Sequence, residues 1–160
     1  LVVGPVYDTR GLELVDLQAQ QFVIAVPAAH ALAARREVRI KELAAESFVS
    51  FPATAGAGFA AALLAACQTA GFVPKVVQEA SQMQAILTLV AGGLGIALVP
   101  ASMRRLRMED VAFLDIADPR SPPSYRLVFA YASSNDNPVV QAFLASARRT
   151  VKGEPARRKA

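Results

Sequence analysis

Reactive side chains are sparse in this chain, which holds one histidine, His30, and one cysteine, Cys67. A single imidazole cannot build a multi-histidine metal site, and no carboxylate pair at ligand spacing accompanies it. No serine or cysteine sits in a nucleophile motif such as Gly-x-Ser-x-Gly, so His30 has nothing to activate as a general base. Within Pro27-Ala28-Ala29-His30-Ala31-Leu32 it reads as a turn histidine bonded to backbone. Cys67 follows Leu63-Leu64-Ala65-Ala66 on an alanine-rich helix and reads as a small buried apolar group. A redox sensor would want a polarising neighbour and a second thiol. Catalytic residues, metal ligands and cofactors are therefore expected to be none.

Gly92-Gly93-Leu94-Gly95 has the glycine content of a phosphate-binding loop but the wrong context. In a dinucleotide fold the glycines follow a strand and open a helix, whose N-terminus holds the pyrophosphate. Here they close a helix and open a strand, which predicts a tight helix-to-strand turn. Pro52-Ala53-Thr54 differs: it follows a buried strand, offers a hydroxyl, and leads through Gly56 and Gly58 to a helix N-terminus. Free backbone N–H groups at such an end favour an anion such as a carboxylate. Val99-Pro100-Ala101-Ser102 follows another buried strand in the same way. Together the two segments predict two walls of a small-molecule cleft without catalytic machinery.

Those walls need a sheet beneath them. Leu1–Val3 reads as a short strand ending at the Gly4-Pro5 turn, and the alternation in Leu12-Glu13-Leu14-Val15-Asp16 suits an edge strand. Phe22-Val23-Ile24-Ala25-Val26 is continuously apolar, as a buried strand is, and ends at Pro27. Residues 31–39 read as a charged surface loop, 40–45 as one or two helical turns, and 47–51 as a second buried strand. A helix is expected from about Phe59 to Ala70 with Gly71 beyond its end, then a strand over 75–79. Ser81 has N-cap chemistry for a helix to Ala91, with Met83, Ile86, Leu87 and Val90 at helical spacing. Residues 95–99 form a strand stopped by Pro100, residues 101–107 a short helix, 111–116 and 125–131 strands, and 138–151 the last helix. Strand, helix, strand, helix, strand through 48–99 predicts a parallel sheet with right-handed crossovers. Ligands of such folds bind outside the carboxyl ends of the strands.

The net charge of +4 is concentrated at one end. From Arg148 onward there are six positive residues against one negative, leaving 11 positive and 12 negative charges in residues 1–147. Basicity therefore belongs to a solvated tail rather than to a nucleic-acid-binding body. No apolar run reaches the ~18–20 residues of a membrane span. The start lacks the charged and long apolar segments of a signal peptide, and the chain opens without methionine in what reads as a strand, as a truncated sequence would.

The stretch Gln78–Ser102 closely resembles the effector domain of LysR-type bacterial transcriptional regulators. It carries Gln82-Met83-Gln84 at a helix start, Val90-Ala91-Gly92-Gly93-Leu94-Gly95-Ile96 across the turn, and Leu98-Val99-Pro100 in the strand. Upstream, Phe22-Val23-Ile24-Ala25-Val26-Pro27-Ala28-Ala29-His30-Ala31-Leu32-Ala33 is similar to that family's strand, Pro, His-Pro-Leu-Ala segment, with His-Ala in place of His-Pro. Glu42-Leu43, Phe51-Pro52 and Ala70-Gly71-Phe72-Val73-Pro74 follow the same pattern, and the likeness runs to about Ser146.

The resemblance implies an α/β, periplasmic-binding-protein-like (type II) two-lobed effector domain, with the second lobe complete and the first partial. Residues 1–20 would be a remnant of the first lobe, 21–116 the second lobe, 117–151 the return to the first, and 152–160 a basic disordered tail. A small metabolite, carboxylate or aromatic-acid-like, would bind between the lobes, against Pro52, Ala53, Thr54, Phe59, Val99, Pro100 and Ser102. Where the aromatic-acid sensors carry an arginine after the first-lobe glycine, this chain has Pro5 after Gly4. The full-length protein would be a cytoplasmic homo-oligomer (dimer or tetramer) that meets DNA only through an N-terminal helix-turn-helix preceding this chain. The helix 81–91 would show a second apolar face, Ala85, Leu89 and Ala91, to a partner subunit. The alternatives are a solute-binding-protein fragment, or a small α/β enzyme for which no nucleophile–base pair is visible.

Overall fold

A computed structural model describes residues 2–4, 10–54, 57–117 and 123–151. The Pro5 turn, the glycine loop at Gly56 and the basic tail 152–160 lie outside the described residues. The chain divides into two compact units, one of Leu1–Ala19 with Arg126–Ala160, the other of Gln20–Tyr125.

The larger unit is built around the second half of β2 (Leu12–Pro27). Two strands pair with it antiparallel: β6 (Ala97–Pro100), with Phe22 opposite Pro100, and β7 (Val111–Ile116), with Ile24 opposite Leu114. With a strand on each side and a core on each face, Phe22–Val26 has no solvent-facing position, and all five side chains are at most 2% exposed. Phe22, Ile24 and Val26 enter one hydrophobic cluster, and Val23 and Ala25 the other. This two-sided burial explains the unbroken apolar run, at ~1.5–3 kcal/mol for each large side chain removed from water. Pro100 does not stop β6 but is its last paired residue, because a proline without an N–H is tolerated at a strand end.

Beyond β6 the sheet turns parallel. Phe48 of β4 (Ser47–Ser50) lies parallel to Ile96, held by Val49 N–H to the Ile96 carbonyl at 2.8 Å and Ile96 N–H to the Ser47 carbonyl at 2.9 Å. β5 (Lys75–Glu79) pairs with β4, also parallel, with a register shift between Phe48 and Val49. α1 (Ala57–Thr69) and α2 (Met83–Ala91) are the crossovers. α1 buries Leu63 and Cys67 in the first cluster, and α2 buries Ile86, Leu87 and Val90 in the second.

Several expectations are corrected. Residues 31–39 are not all surface loop: β3 (Glu37–Val38) pairs parallel with β7, and Val38 is fully buried in the first cluster. Gln82, not Ser81, caps α2, and it makes no side-chain cap bond. Leu89 and Ala91 are half-buried against the second cluster, so only Ala85 of the second apolar face stands exposed.

The glycines of the α2–β6 turn have separate duties. Gly93 takes φ +78°, where L-residues are strained. A Cβ on Gly95 would stand 2.5 Å from the Ser47 carbonyl oxygen, so the β4–β6 junction requires its absence.

In the smaller unit, β1 (Val2–Gly4) pairs antiparallel with β8 (Ser124–Ala132), which also neighbours β2. Residues 12–16 are thus the start of the long β2 rather than a separate edge strand. α3 (Pro138–Val151) places Leu144 against Val15 and Tyr131. Its first turn is capped by the Asn137 side chain, which accepts the Val139 N–H at 2.9 Å. Tyr131 Oη donates to Glu13 Oε2 at 2.5 Å, and Arg126 pairs with Asp16.

Candidate functional site

Because β4, β5 and β6 run the same way, the segments after Ser50, Glu79 and Pro100 leave one edge of the sheet. Pro52, Ala53 and Thr54 follow the first and Ser102 follows the last, in a 3-10 helix over Ala101–Leu106. Ala53 and Thr54 are exposed, and Pro52 and Ser102 are half-buried. Val99 and Pro100 differ from these four. Val99 is 0% exposed in the second cluster, and Pro100 is buried opposite Phe22, so these two support the edge from below.

Phe59, in the first turns of α1, is half-buried and packs against both clusters. Three rings close around it. Phe51 stacks at 5.1 Å and 26°, Tyr125 meets it edge-on at 5.4 Å, and Phe22 edge-on at 6.0 Å. Phe22 and Tyr125 also touch each other at 5.0 Å. All separations fall in the range where ring quadrupoles attract, worth ~0.5–1.5 kcal/mol per pair beyond burial. Since Phe22 pairs with Pro100, the cluster joins the ends of β4 and β6 through side chains. The sequence singled out Phe59 but not Phe22 or Tyr125, because a strand's apolar pattern does not show which of its residues reaches the sheet edge.

The loops that follow β4 and β6 carry no charge, whereas Glu79 ends β5 at the same edge. No charged side chain occurs in Phe51–Phe59 or in Pro100–Met103. The nearest cation in sequence, Arg104, is tied to Asp115 at 2.8 Å. An anion here would have to rely on hydroxyls and on the amides of the first turn of α1, which lack partners four residues back.

The titratable groups considered from the sequence lie elsewhere. His30 follows Pro27, the last residue of β2, beyond the end of the β2–β6 pairing that is opposite to Phe22. Its Nδ1 accepts the Leu32 N–H at 3.2 Å, and its Nε2 stands 3.3 Å from Glu46 Oε2, which is the capping role expected of a turn histidine. Cys67 is buried in α1, and desolvation pushes its thiol up to about 11. Gly92 caps α2, its N–H donating to the Thr88 carbonyl, so the glycine turn closes a helix rather than cradling a phosphate. Among the described residues no three His, Cys, Asp or Glu side chains gather as a metal site, and no helix is long and apolar enough to cross a membrane. A shallow depression of about 230 Å³ lies over Ala62, Ala66, Thr69 and Pro123 and contains none of the residues named from the sequence.

The family model described as the LysR substrate binding domain matches residues 1–152. The HTH-type transcriptional regulator TfdS of Cupriavidus pinatubonensis is 33% identical over 150 residues, which is 93% of this chain and 50% of that protein. The chain spans about half the length of the first curated relatives it matches. Among solved structures, CbnR, a LysR family transcriptional regulator, superposes with a TM-score of 0.80 at 21% identity, covering 93% of this chain and 51% of that one. The effector binding domain of QuiR in complex with shikimate gives 0.76 at 24% identity, covering 92% and 68%. The BenM effector binding domain with its effector benzoate gives 0.73 at 20% identity, covering 96% and 72%.

Proposed function

Since the chain belongs to the LysR substrate binding domain family, we propose that it is the effector-sensing part of a transcriptional regulator, and that its effector is a small ring-bearing carboxylate held at the end of β4 and β6. The observation that carries this reading is the four-ring cluster around Phe59 at the carboxyl edge of parallel strands, beside exposed Thr54 and half-buried Ser102. The aromatic faces suit a flat apolar body, and the hydroxyls with the α1 amides suit its polar end. Pro52, Ala53, Thr54, Phe59 and Ser102 touch the effector, while Val99 and Pro100 hold the edge in place. Benzoate in BenM and shikimate in QuiR are acids of this size, on domains of the same fold.

The domain binds and signals rather than catalysing. In the complete regulator, a cytoplasmic homo-oligomer, effector binding shifts the balance between two states with different grip on DNA. The DNA contact is made by a helix-turn-helix outside these residues.

The test is an amide NMR titration of the 160-residue chain with benzoate and with shikimate. Shifts concentrated at residues 51–54, 57–60 and 100–103 are the expected result. Shifts confined to the depression over Thr69 would overturn the site assignment.

A further inference from the structure

Between Glu46 and Arg104 lie 57 residues that hold only two charged side chains, Lys75 and Glu79, although the whole chain has 17 basic and 13 acidic ones. This stretch runs from β4 through α1, β5 and α2 to β6, and much of it faces outward. β5 is exposed at all five positions, Val76 by 41% and Val77 by 43%, with Val73 just before it at 73% and Leu64 of α1 at 40%. The exposed positions of α1 and α2 add no charge. A face that stays in water normally intersperses charges of both signs, and their loss is the compositional mark of the centre of a protein–protein contact.

β5 is also a lateral edge. It pairs with β4 alone, and no strand takes its other side among the described residues. The Ala80 N–H donates to the Ser50 carbonyl, so the Glu79 carbonyl of the same planar peptide points the other way, to the open side. There it accepts the Gln78 side-chain amide at 3.1 Å, a local bond that a pairing strand can replace. Lys75-Val76-Val77-Gln78-Glu79 is complementary to itself when run antiparallel: Val77 meets Val77, and Lys75 of each copy meets Glu79 of the other. The two charges of the stretch thus neutralise each other across a two-fold axis, one pair at each end of the strand.

We infer that the β5 edge is an interface for a second copy of this chain, the two β5 strands running antiparallel about Val77 with Lys75 opposite Glu79 at both ends. The inference concerns assembly and goes beyond the effector reading, since it does not depend on where the effector sits. The exposed valines and Leu64 supply the apolar centre. The crossed ion pairs fix the register, because a slip of two residues leaves all four charges unpaired.

Sedimentation velocity of the 160-residue chain and its charge variants tests this, with circular dichroism to confirm folding. Lys75→Glu or Glu79→Lys alone sets like charges opposite each other twice and is expected to weaken the dimer by roughly ten-fold or more. The double exchange, Lys75→Glu with Glu79→Lys, restores both pairs and should restore the wild-type affinity. Val77→Cys should form an intermolecular disulfide on mild oxidation, because opposed Cα atoms stand about 4.5–5.5 Å apart and a disulfide spans about 4.4–6.8 Å. Val73→Cys, about 25 Å from its copy in this register, should not. Cys67 is buried and stays out of the reaction. A wild-type chain that stays monomeric at NMR concentration overturns the inference. So does a dimer whose single and double charge variants behave alike, or one that Val73→Cys links as readily as Val77→Cys. The effector titration is read separately from each of these, so the site reading stands or falls on its own.

Discussion

Replacing Gly95 by alanine should destabilise the larger unit by about 2–4 kcal/mol without touching any exposed residue. The added Cβ would stand 2.5 Å from the Ser47 carbonyl oxygen and 3.0 Å from its carbon, and both are backbone atoms that no rotamer can move aside. Overpacking of this kind costs about 1–3 kcal/mol. Relief by separation would lengthen the two hydrogen bonds between β4 and Ile96, worth ~1 kcal/mol each. Two neighbours serve as controls. Gly93→Ala meets nothing within 4 Å but keeps φ +78°, so it should cost about 1–2 kcal/mol through backbone strain alone. Gly92→Ala meets its nearest atoms at 3.5 Å with ordinary φ and should be close to neutral. Urea unfolding of the three variants, compared at a common m-value, measures the series. A Gly95→Ala protein within 0.5 kcal/mol of wild type, or one no worse than Gly92→Ala, would refute the steric account of this junction.

The Cys67 thiol, buried and raised to about 11, should resist a thiol reagent at pH 8 in the native chain and react fully in denaturant; fast native labelling would contradict its burial. Glu42 is held at about 2 chiefly by hydrogen bonds from the Arg35 side chain and the Arg39 N–H, with the Arg39 side chain adding less. A depressed carboxyl pKa stabilises the fold above the ordinary value of 4.5, and the contribution is lost as pH falls toward about 2. The melting-temperature gap between wild type and Glu42→Gln should therefore be widest near neutral pH and shrink between pH 5 and 2, and a gap independent of pH would count against the pairing.

Much of the larger unit was legible because its strands and helices have distinct periods. The run Phe22–Val26 announced two-sided burial, and β5 and β7 occupy the ranges their patterns give, as does α3 in the smaller unit. What was not legible depended on neighbours distant in sequence. Val38 reads as an isolated apolar residue among charges until β7 is placed beside it. Leu12–Gln21 has too little apolar alternation to show that it continues unbroken into the buried strand, since β8 supplies its partner more than a hundred residues later. At the site, Thr54, Ser102 and Phe59 could be picked from loop chemistry. Phe22 and Tyr125 could not, because ring contacts across strands leave no trace in local spacing.

The central position of β2 has a consequence during synthesis. Ile24 completes its pairing only when Leu98 and Leu114 have been made. At about 5–20 residues per second, the segment Phe22–Val26 spends on the order of ten seconds outside the ribosome before both flanking strands exist. It is uncharged, rich in β-branched residues and without an internal proline, the composition of a segment that pairs with copies of itself. Yield from an expressing cell should therefore depend on holdase chaperones and on growth temperature more steeply than the stability of the finished fold would suggest.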